Sequence, residues 1–222
     1  MESLSRSEEN YLKAIFSLSV EGETVATRKL AQLLNSKDSS VTDMLKRLSK
    51  KSLIHYKKYH GVSLTEKGRP MAIKVIRRHR LWEVFLADKL GFNWDQVHEI
   101  AEQMEHVQSE ELIDRLDSFL GFPKIDPHGD PIPDKMGNID TAPHMLLADA
   151  DEGIQLTIIR VKDDSTEFLR YLDATGISIG DNLEVTNFIP YDHSLQIRFE
   201  EGKEMHLSQK VSENIVVRER KN

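Results

Sequence analysis

Apolar residues in the first third of the chain recur at the spacing of short amphipathic helices. Residues 7–18 carry such a stripe, which predicts a first helix. Two more helices are predicted to follow, one capped by Thr27 and one by Asp38, with a polar turn at residues 35–37 between them. Residues 53–64 then alternate loosely on either side of a glycine-containing turn, which predicts a β-hairpin.

The rest of the chain divides into a helical part and a strand-rich part. Residues 74–140 keep helical spacing as far as Phe119, after which a proline-rich stretch precludes regular helix. So much apolar helical surface favours burial against a second copy of the chain in a symmetric homodimer. Residues 141–222 combine short β-rich runs with one helical turn, which is typical of a small barrel. The pattern predicts an α+β protein with three domains: residues 1–73, 74–140 and 141–222.

Charge is distributed unevenly along the chain, although the net charge is only -7. Residues 1–80 carry 17 Lys and Arg against 8 Asp and Glu, a net charge of +9. Residues 81–222 carry 13 against 29, a net charge of -16. A basic segment attracts phosphate, so the first third favours a nucleic-acid partner, with a merely solvated surface as the alternative.

Composition excludes several kinds of chemistry and location. The chain has no cysteine, which rules out disulfides, zinc–thiolate sites and thiol catalysis. No apolar run approaches the roughly 20 residues of a membrane helix, and the first residues lack the apolar stretch of a signal peptide. We therefore expect a cytoplasmic protein with no membrane partner.

The first domain has the pattern of a winged helix-turn-helix: two short helices, a tight turn and a basic hairpin. In this motif the second helix of the pair enters the major groove of DNA, and the hairpin contacts phosphates. The predicted DNA-binding residues are Ser39, Ser40, Thr42, Asp43, Lys46, Arg47, Lys57 and Lys58. The alternative is that they form the surface of an ordinary helical hairpin.

Side chains of the kind that bind metals follow one face of a predicted helix in the second domain. At positions i, i+4, i+7 and i+8 these are His98, Glu102, Glu105 and His106. The preceding helix repeats the i, i+4 spacing with His79 and Glu83. Imidazole and carboxylate ligands suit Mn(II), Fe(II) or Zn(II). The alternative is a solvated helix face held by salt bridges.

Together these segments resemble the diphtheria-toxin-repressor and manganese-transport-regulator family of metal-dependent transcriptional repressors, over essentially the whole chain. The motifs that carry the resemblance are Glu9-Asn10-Tyr11-Leu12, Ser39-Ser40-Val41-Thr42, Arg78-His79-Arg80-Leu81-Trp82-Glu83, His98 to Val107 and Pro127 to Pro133. The resemblance implies a winged helix, a helical dimerisation domain and a C-terminal SH3-like (FeoA-like) barrel. It also implies a homodimer that binds a palindromic operator in double-stranded DNA and controls metal-uptake genes.

The resemblance further implies two metal sites per subunit. Glu102, Glu105 and His106 match the primary activating site, which the family completes from the first helix at the position of Asn10. Iron-responsive members carry Cys and Met at the positions of Glu102 and Asn10. The hard oxygen donors found here favour Mn(II), with Fe(II) as the alternative. Lys13 is a departure, because manganese-responsive members often carry Glu there.

The second implied site is an ancillary site, to which the barrel contributes. The matching barrel turn offers two carboxylates, and the loop after the helical domain adds ligands in some manganese-responsive members. The ligands implied in this way are His79, Glu83, His98, Asp164, Glu167, Asp126 and His128.

The predicted function is therefore a metal-dependent repressor that responds to Mn(II) or Fe(II) and is not an enzyme. A metallohydrolase that uses the same His and Glu cluster is an alternative of a different class. It would need an open coordination position and a substrate pocket. A helix-turn-helix regulator whose acidic helix is only a dimer surface is a third reading.

Overall fold

A winged helix forms the N-terminal part of the protein, in a computed structural model that describes residues 4–19, 24–140 and 142–220. Its elements are α1 (Arg6–Leu18), α2 (Thr27–Leu33), α3 (Asp38–Lys50), β1 (Ile54–Lys57) and β2 (Gly61–Leu64). The two strands pair antiparallel, as the hairpin prediction requires. Leu12, Leu30 and Leu45 are fully buried in one apolar cluster that joins the three helices to the hairpin.

The two helix caps predicted from sequence are wrong. Thr27 and Asp38 are the first helical residues of α2 and α3, and the capping positions fall on Ala26 and Lys37, which provide no side-chain cap. Ser5 instead caps α1, in a box in which its hydroxyl accepts from the Glu8 amide at 3.3 Å. The bounds of a helix can therefore be predicted correctly even when the residue expected to cap it provides no side-chain cap.

A helical layer follows, built from α4 (Gly68–Leu90), α5 (Trp94–Met104) and α6 (Glu110–Phe119). The 23 residues of α4 span about 35 Å and begin beside the hairpin, so one helix connects the winged helix to this layer. Gly91 ends α4 in the left-handed conformation, with φ of 73°, which lets the chain reverse into α5. Ile132, from the irregular stretch after α6, completes the apolar core of the layer.

The C-terminal part is a six-stranded antiparallel sheet with two helices. Its elements are β3 (Met145–Leu146), β4 (Gln155–Val161), α7 (Thr166–Thr175), β5 (Asn182–Ile189), β6 (Ser194–Phe199), β7 (Glu204–Leu207), α8 (Gln209–Ser212) and β8 (Ile215–Glu219). The strand order is β3-β8-β4-β5-β6-β7. Alternate residues of the strands point into one apolar core, as in a small barrel. The helical first half and this sheet confirm the α+β fold class.

The barrel is held against the start of α5 by polar contacts. The indole nitrogen of Trp94 donates to both carboxylate oxygens of Asp173, at 3.0 and 3.1 Å. Arg170 donates to the Asp95 carboxylate at 2.8 Å. Both barrel residues lie on α7, so this short helix fixes the barrel beside the helical layer. All the helices described here are too short or too polar to cross a membrane.

Candidate metal centre

Five side chains gather around the buried carboxylate of Glu83, between α4, α5 and the barrel. We call this group the Glu83 cluster; its members are His79, Glu83, His98, Asp126, His128 and Asp164. His79 and Glu83 lie one turn apart on α4, and His98 reaches them from α5, as the spacing predicts. Asp164 comes from the loop before α7, and its Oδ2 lies 3.1 Å from His98 Nδ1.

Three imidazole nitrogens face the same oxygen of Glu83. His79 Nε2 lies 3.0 Å from Glu83 Oε1, His98 Nδ1 lies 3.3 Å away, and His128 Nδ1 lies 3.6 Å away. None of these approaches has the geometry of a hydrogen bond, and Glu83 Oε1 is buried without a hydrogen-bond partner among the described residues. Nitrogen and oxygen donors that point at a common region, around an unsatisfied buried oxygen, fit a divalent cation better than a hydrogen-bond network.

The electrostatics of the cluster require positive charge near Glu83. Burial raises the pKa of the Glu83 carboxyl, but the neighbouring histidines outweigh it and hold that pKa well below its ordinary range. Burial lowers the pKa of His98, yet Glu102, Glu83 and Asp164 raise it to about 10. In the same way Glu83 raises the pKa of His128 to about 9 against the effect of burial. Protons therefore supply the positive charge that a cation would bring.

The loop at residues 126–130 places two members of the cluster. The Asp126 Oδ1 atom accepts from the backbone amides of His128 and Asp130, both at 2.9 Å, which closes a tight turn. Gly129 lies in this turn with φ of +83°, and a Cβ there would come 2.1 Å from the Ile159 carbonyl. The loop can therefore pack directly on β4 only because this position has no side chain.

Glu102 and Glu105 form a second group with α1. Lys13 Nζ donates to Glu105 Oε2 at 2.7 Å, lies 3.6 Å from Glu102 Oε1, and lies 3.1 Å from His79 Nδ1. The imidazole of His98, whose Nε2 lies 3.5 Å from Glu102 Oε1, lowers the pKa of Glu102 to about 2, with Lys13 adding to the effect. Burial raises the pKa of Glu105, but His79 and Lys13 more than offset it and lower that pKa. Both carboxyls are therefore ionised at neutral pH.

The neighbouring contact between α1 and the end of α5 uses Glu9. His106 Nδ1 lies 2.6 Å from Glu9 Oε2, and Arg78 donates to Glu9 Oε1 at 2.7 Å. Glu9 is 4% exposed, whereas Asn10 is exposed. Among the described residues, no hydrogen bond or ion pair joins Asn10 to Glu102, Glu105 or His106. Its role as a metal ligand stays a prediction.

Glu167, the other barrel carboxylate predicted for the ancillary site, is exposed at the start of α7. The described contacts of the Glu83 cluster include Asp164 and not Glu167. The barrel therefore reaches the cluster through the loop before α7 rather than through the helix itself.

Most of the predicted DNA-reading side chains are exposed. Ser39, Ser40 and Asp43 are exposed on the first turns of α3, and Thr42 is half-buried, with its hydroxyl donating to the Asp38 carbonyl at 2.9 Å. Lys46, Arg47, Lys57 and Lys58 are exposed along α3 and the hairpin. Lys46 forms an exposed ion pair with Asp43 Oδ1 at 3.2 Å, so a base contact through that oxygen would replace the pair.

Comparison with known proteins gives a consistent result along the whole chain. Residues 3–62 match the N-terminal DNA-binding domain of iron-dependent repressors, residues 65–134 match their metal-binding and dimerisation domain, and residues 145–219 match the FeoA domain. The diphtheria toxin repressor of Corynebacterium diphtheriae is 30% identical over 84% of this chain and 87% of its own length. The chain belongs to the diphtheria-toxin-repressor family of metal-dependent transcriptional repressors.

The chain is similar both to a family member described as iron-dependent and to one described as manganese-dependent. The iron-dependent repressor IdeR of Mycobacterium tuberculosis is 38% identical over 60% of this chain, a match that spans 58% of IdeR. A solved structure described as a manganese-dependent transcriptional repressor in complex with manganese superposes with a TM-score of 0.90. It is 33% identical and covers 96% of this chain and 100% of its own. The predicted family and repressor class are confirmed, and this family of repressors is non-enzymatic, against the metallohydrolase alternative.

Sequence reasoning did not predict that Glu9 and Lys13 of α1 contact residues at the end of α5. Glu9 and Lys13 lie four residues apart and share a face of α1, so their i, i+4 spacing is a signal that could have found them. The contact between Trp94 and Asp173, which holds the barrel beside α5, has no comparable signal in the sequence, because the two residues are 79 positions apart.

Proposed function

We propose that the protein is a Mn(II)-responsive repressor whose homodimer binds a palindromic operator in the cytoplasm and controls uptake of the sensed metal. The observation that carries the proposal is the convergence of three imidazole nitrogens on the buried Glu83 Oε1. The manganese complex among its structural relatives supports the same metal. Fe(II) is the competing signal, since IdeR is described as iron-dependent.

Two sites per subunit are proposed, one at the Glu83 cluster and one at Glu102, Glu105 and His106. Carboxylate oxygens and imidazoles make up the donors at both, and neither contains a thiolate or thioether. Such hard donors suit Mn(II) better than metals that prefer sulfur. A bound divalent cation supplies positive charge that carboxylates and imidazoles can share without protons.

The residues at the end of α5 connect the metal centre to DNA binding. Glu105 contacts α1 through Lys13, and His106 contacts it through Glu9, so the position of α1 depends on these two side chains. Since α1 and α3 share one apolar core, a shift of α1 also moves the recognition helix. In a dimer, the distance between two such helices decides whether they fit successive major grooves. Metal changes that distance only by binding one arrangement more tightly than the other.

A DNA-binding titration tests this function. A labelled duplex is first selected from random-sequence DNA with Mn(II)-supplemented protein, and fluorescence anisotropy is then followed against Mn(II), Fe(II), Co(II) and Zn(II). Salt is held constant, because protein–DNA affinity depends steeply on it. We expect Mn(II) to promote binding at the lowest concentration. Equal binding in EDTA and in Mn(II) would refute a metal-dependent switch.

Variants assign the effect to the sites. Glu83→Gln and His106→Ala should each raise the Mn(II) concentration needed for binding by about tenfold or more. Glu99→Gln is the matched control, because Glu99 is an exposed acid on the same helix, α5. If Glu99→Gln weakens the response as much as the other two, the effect comes from the overall charge of α5 and the site assignment fails.

A further inference from the structure

Lys13 lies among predicted metal ligands. Its ammonium group contacts Glu105 at 2.7 Å, His79 at 3.1 Å and Glu102 at 3.6 Å. The Lys13 side chain is 17% exposed, and Glu105 is 1% exposed. A cation therefore already lies between two carboxylates of the proposed second site, and it is attached to α1.

The charge of this ammonium bears directly on metal binding. An ion held by Glu102 and Glu105 would come within a few ångströms of the Lys13 nitrogen if that nitrogen stayed where it is. Like charges at such a separation repel, most strongly beside Glu105, whose side chain is buried. Conversely, without the ammonium the buried Glu105 carboxylate would be left facing the imidazoles of His79, at 2.6 Å, and His106, at 3.9 Å. Lys13 thus stabilises the metal-free form and opposes the metal-bound form.

We propose that Lys13 is an internal competitor for the second metal site: its ammonium holds Glu102 and Glu105 at low metal and leaves when the ion enters. This rests on the proposed function and adds to it a concentration threshold. The Glu83 cluster should fill first, and the second site should fill only where the ion outcompetes the ammonium. The flexible four-carbon stem of lysine allows the nitrogen to move to solvent without a shift of α1.

The same ammonium also links two parts of the protein before metal binds. Lys13 belongs to α1, and Glu105 lies at the end of α5, so their ion pair joins the winged helix to the helical layer. Displacement exchanges the contacts of the ammonium for coordination of the ion by Glu102, Glu105 and His106.

Isothermal titration with Mn(II) alone tests the competition. The Glu83→Gln background isolates the second site, and into it we would introduce Lys13→Met, which keeps the aliphatic stem, or Lys13→Arg, which keeps the charge. Lys13→Met should bind Mn(II) about tenfold more tightly or better than Glu83→Gln alone. Lys13→Arg should stay close to Glu83→Gln alone. Lys51→Met is the control, because Lys51 pairs with Glu8 of α1 away from the metal ligands.

Each outcome is informative. Equal or weaker binding by the Lys13→Met variant, or no binding by any variant in this background, would overturn the competition. Tightening by Lys51→Met to the same degree would also overturn it, since loss of any nearby lysine would then suffice. The proposed function is judged separately, from Mn(II) binding and Mn(II)-promoted DNA binding by the unmodified protein.

A second measurement does not depend on metal. In EDTA, amide hydrogen exchange in α1 should be faster in Lys13→Met than in the unmodified protein or in Lys13→Arg. Unchanged exchange in Lys13→Met would show that the ammonium does not hold α1 in the metal-free state, and would overturn that half of the proposal.

Discussion

Removal of the Arg78 side chain should destabilise the junction between the winged helix and the helical layer. Arg78 and Glu9 form an ion pair at 2.7 Å in which their side chains are 9% and 5% exposed. Arg78→Met fills a similar volume with an apolar chain but leaves the Glu9 carboxylate buried. Glu9 would then keep His106 at 2.6 Å and a weaker contact with Gln108 at 3.3 Å.

The expected loss in free energy of unfolding depends on the contacts that Glu9 keeps in Arg78→Met. Breaking a buried ion pair by removing one partner costs about 3–5 kcal/mol. The lower end applies here, because His106 and Gln108 still contact Glu9, and because the buried Arg78 Nε has no hydrogen-bond partner in the part of the chain that the structure describes. We expect a loss of about 3 kcal/mol, which corresponds to a fall in Tm of about 6–12 °C for a protein of this size.

Urea unfolding in EDTA measures the free energy of unfolding, with the fluorescence of Trp82 and Trp94 reporting on the helical layer. Glu9→Gln/Arg78→Met should recover part of the loss, because the unpaired buried charge is then absent. Arg115→Met is the control: its pair with Glu111 is exposed, so it should cost less than about 1 kcal/mol. A loss below about 1 kcal/mol for Arg78→Met would refute the argument that Glu9 depends on Arg78.

Three further predictions concern metal binding, DNA binding and stability. Asp164→Ala should weaken Mn(II) binding about tenfold in calorimetry, because this barrel carboxylate contacts His98. Glu167 is exposed, so Glu167→Ala should leave Mn(II) binding unchanged. An equal effect of both substitutions would contradict the contact between Asp164 and His98. Lys46→Ala should weaken binding to all duplexes and reduce the salt slope by about 0.9, whereas Asp43→Ala should change sequence preference in a selection experiment. Burial raises the pKa of Glu8, but the Ser5 amide and Lys51 hold it below its ordinary value of 4.5. Ionised Glu8 therefore contributes to stability above about pH 4.5, and this contribution is lost as the pH falls through the lower pKa of the folded protein. In urea titrations, the difference in stability between Glu8→Gln and the unmodified protein should therefore close on acidification.

Sequence periodicity predicted the elements well because it reports on local burial. The apolar stripe of residues 7–18 and the i, i+4 pairs of α4 and α5 follow directly from helix geometry. Periodicity does not determine which of two adjacent polar residues faces a neighbouring helix, since they differ by only about 100° around the axis. Glu9 is buried and Asn10 is exposed because α1 packs on α4 in one particular rotation.

Contacts between distant segments could not be read from spacing. Asp126, His128 and Asp164 were reached only through the resemblance to a family, because a loop and a barrel place them beside Glu83. The proximity of Lys13 to Glu105 spans 92 positions and depends on how three helices pack. Its residue type was noticed as a departure from the family, but the partner that it contacts is a property of the folded chain.

The two ends of α5 contact different parts of the protein. At its start, Trp94 and Asp95 hold the barrel, and just past its end Glu105 contacts α1. Its middle is anchored by Val97 and Ala101, both fully buried. A helix of 11 residues is about 16 Å long, so a tilt of about 10° around that anchored middle would move each end by about 1.4 Å, in opposite directions. If α5 tilts as a rigid body about this anchored middle, a displacement of the barrel at its start is passed to α1 in the opposite direction.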